Sequence, residues 1–143
     1  MNYSINLAEY PQKVFATNSK YNDDYIMFIL INESMETKTE KIMTSCCHII
    51  SKIIREIENT GKMDGYTHWI DTHEPKIFLK ATNEELLRCI SIYSNITNKN
   101  IWCQYILDVD ENKLSIPAVA FIPMVHKKAP RLIKQMEEFK FTV

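Results

Sequence analysis

One stretch constrains the fold more than any other: Lys41 to Asn59, KIMTSCCHIISKIIREIEN. Stepped at about 100° per residue, it gathers Ile42, Cys46, Ile49, Ile50, Ile53 and Ile57 within roughly a third of a helix circumference. Lys41, Ser45, His48, Lys52 and Arg55 fall on another face. A single helix thus carries an oily stripe for a core and a cationic stripe with a histidine in it. β-Branched isoleucine is a mediocre helix former, so burial rather than propensity must hold this helix. The plainest reading of its polar face is a solvated surface.

What precedes the helix narrows the fold class. Tyr25 to Ile31, YIMFILI, is an apolar run too short for a buried helix and suited to a strand covered on both faces. A polar loop from Asn32 to Glu40 joins the two, with Thr37 or Thr39 as a helix cap. Strand, loop and helix make half of a βαβ unit. Chemistry in such units gathers where the strand's carboxyl end meets the helix, and Lys41 stands there. Residues 1–22 are polar and aperiodic and read as an extension, with a short helical piece around Ile5 to Tyr10.

Beyond the helix, Asn59-Thr60-Gly61 is a stop signal. Lys62 to Pro75 reads as a polar connection anchored by Trp69. Lys76 to Ala81 is a second strand, and Thr82-Asn83-Glu84-Glu85 opens a second helix, with Leu86, Leu87, Ile90 and Tyr93 on one face. Ile101 to Leu107 and Ala118 to Met124 read as third and fourth strands, joined by a turn at DVDENK and able to form a hairpin. Ala129 to Phe139 reads as a last helix, and FKFTV as a tail able to join a sheet edge. The order β-α-β-α-β-β-α predicts a single α/β domain over 23–143, with a mixed four-stranded sheet and helices on both faces.

Composition excludes several functions. The chain has 143 residues and a formal net charge of −1, so nucleic-acid binding requires a local basic patch. No apolar run is long enough to span a membrane, and no secretory pattern opens the sequence, which points to the cytoplasm. Four cysteines, Cys46, Cys47, Cys89 and Cys103, include no C-x-x-C pair and read as buried thiols. Cys46 and Cys47 fall at the core side of their helix or its margin, which argues against a cysteine nucleophile. No P-loop, dinucleotide fingerprint, nucleophile elbow or HExxH occurs. His68, Asp71 and His73 fit no closed zinc pattern and read as a solvated loop. Asp108 and Asp110 read either as a polar turn or as a carboxylate pair at a strand end.

The order of these pieces resembles the type II peptidyl-tRNA hydrolases over Tyr25 to Val143. In that family a strand leads into Gly-Lys-Gly-Lys, an apolar residue, then Ala-Ala-Gln-Cys-Ser-His. The same slots here read KTEKIMTSCCH, with Lys41, Ile42, Cys46 and His48 matching. Trp69 is followed, at the family's interval, by Glu74, Pro75 and Lys76. The family's Asp-Ala-Gly-Arg-Thr turn falls on Asp108 to Asn112. Lys38 and Glu40 stand where the family has glycines, Asp110 replaces another glycine, and Glu111 replaces the arginine.

The resemblance implies hydrolysis of the ester between a peptide and the tRNA 3′ end, without metal or organic cofactor, by a protein that is often a homodimer. Carried over by position, Lys41 stabilises charge or orients the ester. Asp108 positions Lys41 or water, and His48 sits nearby on the same helix face. Asn112 takes the threonine's role. Ser45, Lys52, Arg55 and Lys76 contact the substrate. Lys127, Lys128, Arg131 and Lys134 read either as a solvated helix face or as an addition to a tRNA track. A second expectation follows from the departures: Glu36, Glu40, Asp110 and Glu111 ring the site with negative charge and leave a binding module without turnover.

Overall fold

In a computed structural model the described residues are 24–35, 38–61, 65–95, 100–110 and 112–140, the side chain of Asp110 excepted. The expected extension over 1–22, the alternative cap Thr37, Glu36 and Glu111 lie outside them.

β1 (Tyr25–Asn32) is the centre of the sheet because its residues are apolar on both sides. Ile26, Phe28 and Leu30 enter one core layer, and Met27, Ile29 and Ile31 the other. This is the alternation of a strand sandwiched between helices. α1 (Thr39–Thr60) follows and buries Cys46, Ile49, Ile53 and Ile57. Ile42, Ile50 and Ile54 sit at the margin of the same layer. Complete burial of one such side chain stabilises by about 1.5–3 kcal/mol, which outweighs the poor helix propensity of isoleucine.

The cap of α1 differs from expectation. Its N-cap is Lys38, with no side-chain hydrogen bond, and Thr39 is already helical. At the other end Gly61 takes φ 62° and returns its N–H to the Ile57 carbonyl at 2.8 Å. This left-handed stop is the one the sequence signals.

The polar connection after α1 contains a helix the periodicity did not reveal, α2 (Tyr66–Asp71). Six residues are too few to show a period. Its N-cap Gly65 has φ 82° and the Tyr25 ring packs where a Cβ would sit. Trp69 is wholly buried and donates Nε1–H to the Pro75 carbonyl at 3.0 Å. β2 (Lys76–Ala81) then pairs parallel to β1, Phe28 opposite Ile77 and Leu30 opposite Leu79, which completes the βαβ unit.

α3 (Asn83–Tyr93) opens with a full capping box. Thr82 Oγ1 accepts from the Glu85 N–H at 3.1 Å, and Glu85 Oε1 accepts from the Thr82 N–H at 2.9 Å. Leu86 and Cys89 are buried, while Leu87 is exposed. Adjacent helical residues diverge by about 100°, so Leu86 and Leu87 cannot share a face.

The rest of the chain is cut finer than its apolar runs suggest. β3 (Cys103–Tyr105) pairs antiparallel with β6 (Ala118–Phe121), Cys103 opposite Phe121. The segment between them is no simple turn but a separate hairpin, β4 (Asp108–Asp110) against β5 (Lys113–Ser115). β6 also pairs antiparallel with β1, and β7 (Met124–Val125) continues along the same edge. Between the pairs Ile29↔Ala120 and Ile26↔Met124, three steps on β1 face four on the other strand. Ile122 and Pro123 occupy this bulge, where a residue without an N–H is tolerated.

Among the described residues the main sheet therefore has five strands rather than four, in the order β2-β1-β6-β3 with β7 beside β1. A 3₁₀ turn, His126–Lys128, leads to α4 (Arg131–Lys134), only four residues long where a longer helix was expected. The segment after it is extended: Glu138 bridges Leu79, and Phe139 donates its N–H to the Phe78 carbonyl at 2.7 Å. Residues 137–139 thus cover the open edge of β2.

Candidate active site

The end of β1 and the first turn of α1 frame a cleft. Its apolar wall comes from Ile31, Met35, Ile42, Pro117 and Ala118, and its polar groups from Asn32, Lys41, Ser45 and Asp108. Lys41 reaches it from α1 and Asp108 from the first residue of β4. Lys41 Nζ lies 4.0 Å from Asp108 Oδ2, with the side chains 56% and 40% exposed. A pair this open contributes at most about 1 kcal/mol to stability. The fold does not need it, while both groups stay accessible to a ligand. Positive charge in the first turn is also mildly opposed by the helix dipole.

Sequence reasoning missed Asn32, the only buried polar residue among those described. Its Nδ2 donates to the Ile116 carbonyl at 2.9 Å and to Asn83 Oδ1 at 3.3 Å, and its Oδ1 accepts from the Ser34 N–H at 2.9 Å. One side chain thus ties the end of β1 to the start of α3, to the segment after β5 and to the loop leading to α1. The available signal was an asparagine closing an otherwise apolar strand.

The other candidate residues scatter. Ser45, one helical turn beyond Lys41, lines the cleft. His48 is exposed on α1 and is not part of the cleft wall. Lys52 is half-buried and donates to the Tyr105 carbonyl at 2.6 Å. Arg55 is exposed, roughly 20 Å along the helix axis from Lys41. Its Nε donates to the Ser51 carbonyl at 3.3 Å.

Lys76 stands opposite Met27, near the other end of β1 from the cleft. Its ammonium donates to the Glu74 carbonyl at 2.9 Å and lies 5.4 Å from the Trp69 ring centre. Burial lowers its pKa, against a smaller opposing pull from Glu74. Asn112 sits at the hairpin tip with φ 65°. Asparagine tolerates this left-handed conformation, and a β-branched threonine does not. The turn alone thus accounts for its identity.

The basic segment after β7 belongs to the other layer. Ala129 and Ile133 pack with the face of β1 away from α1, so Lys127, Lys128, Arg131 and Lys134 lie across the sheet from the cationic stripe.

The cysteines split. Cys46, Cys89 and Cys103 are buried, but Cys47 is exposed, contrary to its expected place at the core margin. Its neighbour Cys46 holds the buried face, and the next residue must turn about 100° away. Burial pushes the Cys46 thiol up to about 12, with Cys47 adding to the shift. Such a thiol is protonated and inert at neutral pH. Among the described residues no three His, Cys, Asp or Glu side chains gather into a metal site, and no helix is long and apolar enough to cross a membrane.

The arrangement offers an ammonium and a carboxylate facing each other over a partly apolar cleft. It suits attack by water on an acyl group, with the cation at the developing oxyanion. A family model described as peptidyl-tRNA hydrolase PTH2 matches residues 25–139. No curated protein sequence matches the chain.

Proposed function

This chain belongs to the peptidyl-tRNA hydrolase PTH2 family, and from that premise we propose that it hydrolyses the ester between a peptide and the 3′ end of tRNA at the Lys41–Asp108 pair. The observation that carries this reading is the approach of those two side chains, from α1 and from β4, to 4.0 Å over an open cleft.

In the proposed reaction a water held by the Asp108 carboxylate attacks the ester carbonyl carbon. Asp108 accepts the water's proton as the C–O bond forms. Lys41 faces the carbonyl oxygen and holds the negative charge that develops on it. The tetrahedral intermediate collapses as its bond to the ribose oxygen breaks, that oxygen takes the proton held by Asp108, and the peptide acid loses its own proton to water and departs as a carboxylate. Ser45, on the cleft wall one turn from Lys41, supplies a hydroxyl that can donate to the ester or the ribose. Arg55, exposed farther along α1, contacts phosphate in this reading. Lys52 and Lys76 are committed to backbone carbonyls and serve the fold in this reading.

One observation favours the alternative, a binding module without turnover: Glu40 stands exposed in the first turn of α1, beside Lys41. Its carboxylate opposes an incoming polyanion. Release of peptide from purified peptidyl-tRNA by the folded protein separates the two readings. Absence of turnover overturns the hydrolase.

A further inference from the structure

The cleft holds more apolar surface than its reacting pair requires. Ile31, Pro117 and Ala118, which line it, are already buried. Met35 and Ile42 are half-buried, so the apolar surface still open to a ligand is theirs. They come from different elements. Ile42 follows Lys41 in the first turn of α1. Met35 stands in the turn that leaves β1, and the asparagine at the start of that turn holds it. Asn32 Oδ1 accepts from the Ser34 N–H at 2.9 Å, and the Asn32 carbonyl from the Met35 N–H at 3.5 Å.

We infer that Met35, with Ile42 as second contact, receives the side chain of the amino acid whose carbonyl forms the ester, and so makes that side chain's polarity a determinant of rate. The inference rests on the hydrolase reading, in which the ester sits between Lys41 and Asp108. Two groups flank the reacting bond there. The carbonyl carbon carries the last residue of the peptide, and the ester oxygen carries the terminal adenosine of the tRNA. The lining of the cleft chooses between them. An unpaired base is held by stacking on an aromatic ring or a guanidinium, and its edge is read by a donor beside an acceptor. Among the described residues that line the cleft, none is aromatic or arginine. The side-chain amide there, Asn32, has both Nδ2 protons committed, to the Ile116 carbonyl and to Asn83 Oδ1. A hydrocarbon side chain needs only apolar contact, which Met35 and Ile42 have to give. The last residue of a peptide on tRNA also varies. Methionine, with three rotatable bonds and a polarizable sulfur, adapts to side chains of different shape.

The test uses the full-length protein and its Met35→Ala variant, with circular dichroism to verify folding. One tRNA sequence is charged in turn with N-acetyl-leucine and with N-acetyl-asparagine, whose side chains are similar in shape and unlike in polarity. Each enzymatic rate is divided by the spontaneous rate of the same ester. The expected result is a wild-type kcat/KM about tenfold higher on the leucyl ester, in keeping with one apolar side chain taken from water. In Met35→Ala the ratio should fall to about two, because most of that contact is gone. A wild-type ratio near one, or a ratio that the substitution leaves unchanged, overturns the inference.

Where neither ester is hydrolysed, the hydrolase reading falls and binding decides the inference by itself. The probes are 3′-amino-3′-deoxyadenosine acylated with N-acetyl-leucine or with N-acetyl-asparagine, amides in place of esters, and the same nucleoside without an acyl group. Tighter calorimetric binding of the leucyl amide, lost in Met35→Ala, supports the assignment. Equal affinity for the two amides, a preference that survives the substitution, or no binding overturns it. So does binding of the bare nucleoside that Met35→Ala weakens, since the wall then holds the base.

Discussion

Lys52 crosses from α1 to donate to the backbone carbonyl of Tyr105 at 2.6 Å, and its ammonium lies 5.3 Å from the centre of the same residue's ring. A helix is thereby strapped to β3, the strand that runs on toward Asp108. Since Lys41 is on that helix, the strap helps set the distance between the two groups proposed to act on the ester.

Lys52→Met removes the strap and leaves a carbonyl unpaired. It should lower stability by about 1.5–3 kcal/mol, the usual worth of a hydrogen bond to a charged group. Arg55→Ala, by contrast, should leave stability within about 0.5 kcal/mol and reduce the salt slope of tRNA binding by roughly one. Urea unfolding and binding titrations at several salt concentrations measure the two effects. Reversal of the two roles would return Lys52 to the substrate surface.

Lys41→Ala and Asp108→Ala should each lower kcat by about 10²–10³-fold, the range for losing an oxyanion donor or a general base. Neither should shift the unfolding midpoint appreciably, because the pair is open to solvent. Single-turnover peptide release beside thermal denaturation checks this. Full activity in either variant rules out the assigned role.

Asn32→Ala should destabilise by about 1–3 kcal/mol, because the buried Ile116 carbonyl loses its partner and the part-buried Ser34 N–H loses its acceptor. The same change loosens the loop into α1, so activity should fall although Asn32 touches no reacting atom in the proposed mechanism. Stability from urea melts and peptide release measured on the same preparation test both halves.

Thiol chemistry should divide the cysteines. Cys47 should react with a chromogenic disulfide in the native protein, and Cys46, Cys89 and Cys103 only on unfolding. Burial raises both Cys46 and Cys89 from the ordinary 9.0 to about 12, with smaller contributions from Cys47 and Glu85 respectively. The folded state therefore holds these protons more tightly than the unfolded chain. Their contribution to stability is complete below pH 9.0 and is lost as pH rises from 9.0 to about 12. Combining Cys46→Ala with Cys89→Ala should flatten the alkaline decline of the urea midpoint. An unchanged slope would assign that decline to other groups.

Much of this protein is written locally. The two-sided strand, the isoleucine stripe of α1, the glycine stop at Gly61 and the capping box of Thr82 and Glu85 each follow from residues a few positions apart, whose geometry backbone sterics dictate. The strand-to-helix junction marked Lys41 and a strand end marked Asp108, and the family resemblance gave the two a shared role. Tertiary structure decided what depends on distant partners: the bulge at Ile122 and Pro123, the hairpin inside an expected turn, the placement of Lys52 and Lys76 on backbone carbonyls, and the burial of Asn32. It also brought Lys41 to Asp108. Periodicity reports which face of an element is apolar. It carries no information about which cation meets which carbonyl or carboxylate once the sheet has assembled, because those distances are set by packing between elements far apart along the chain.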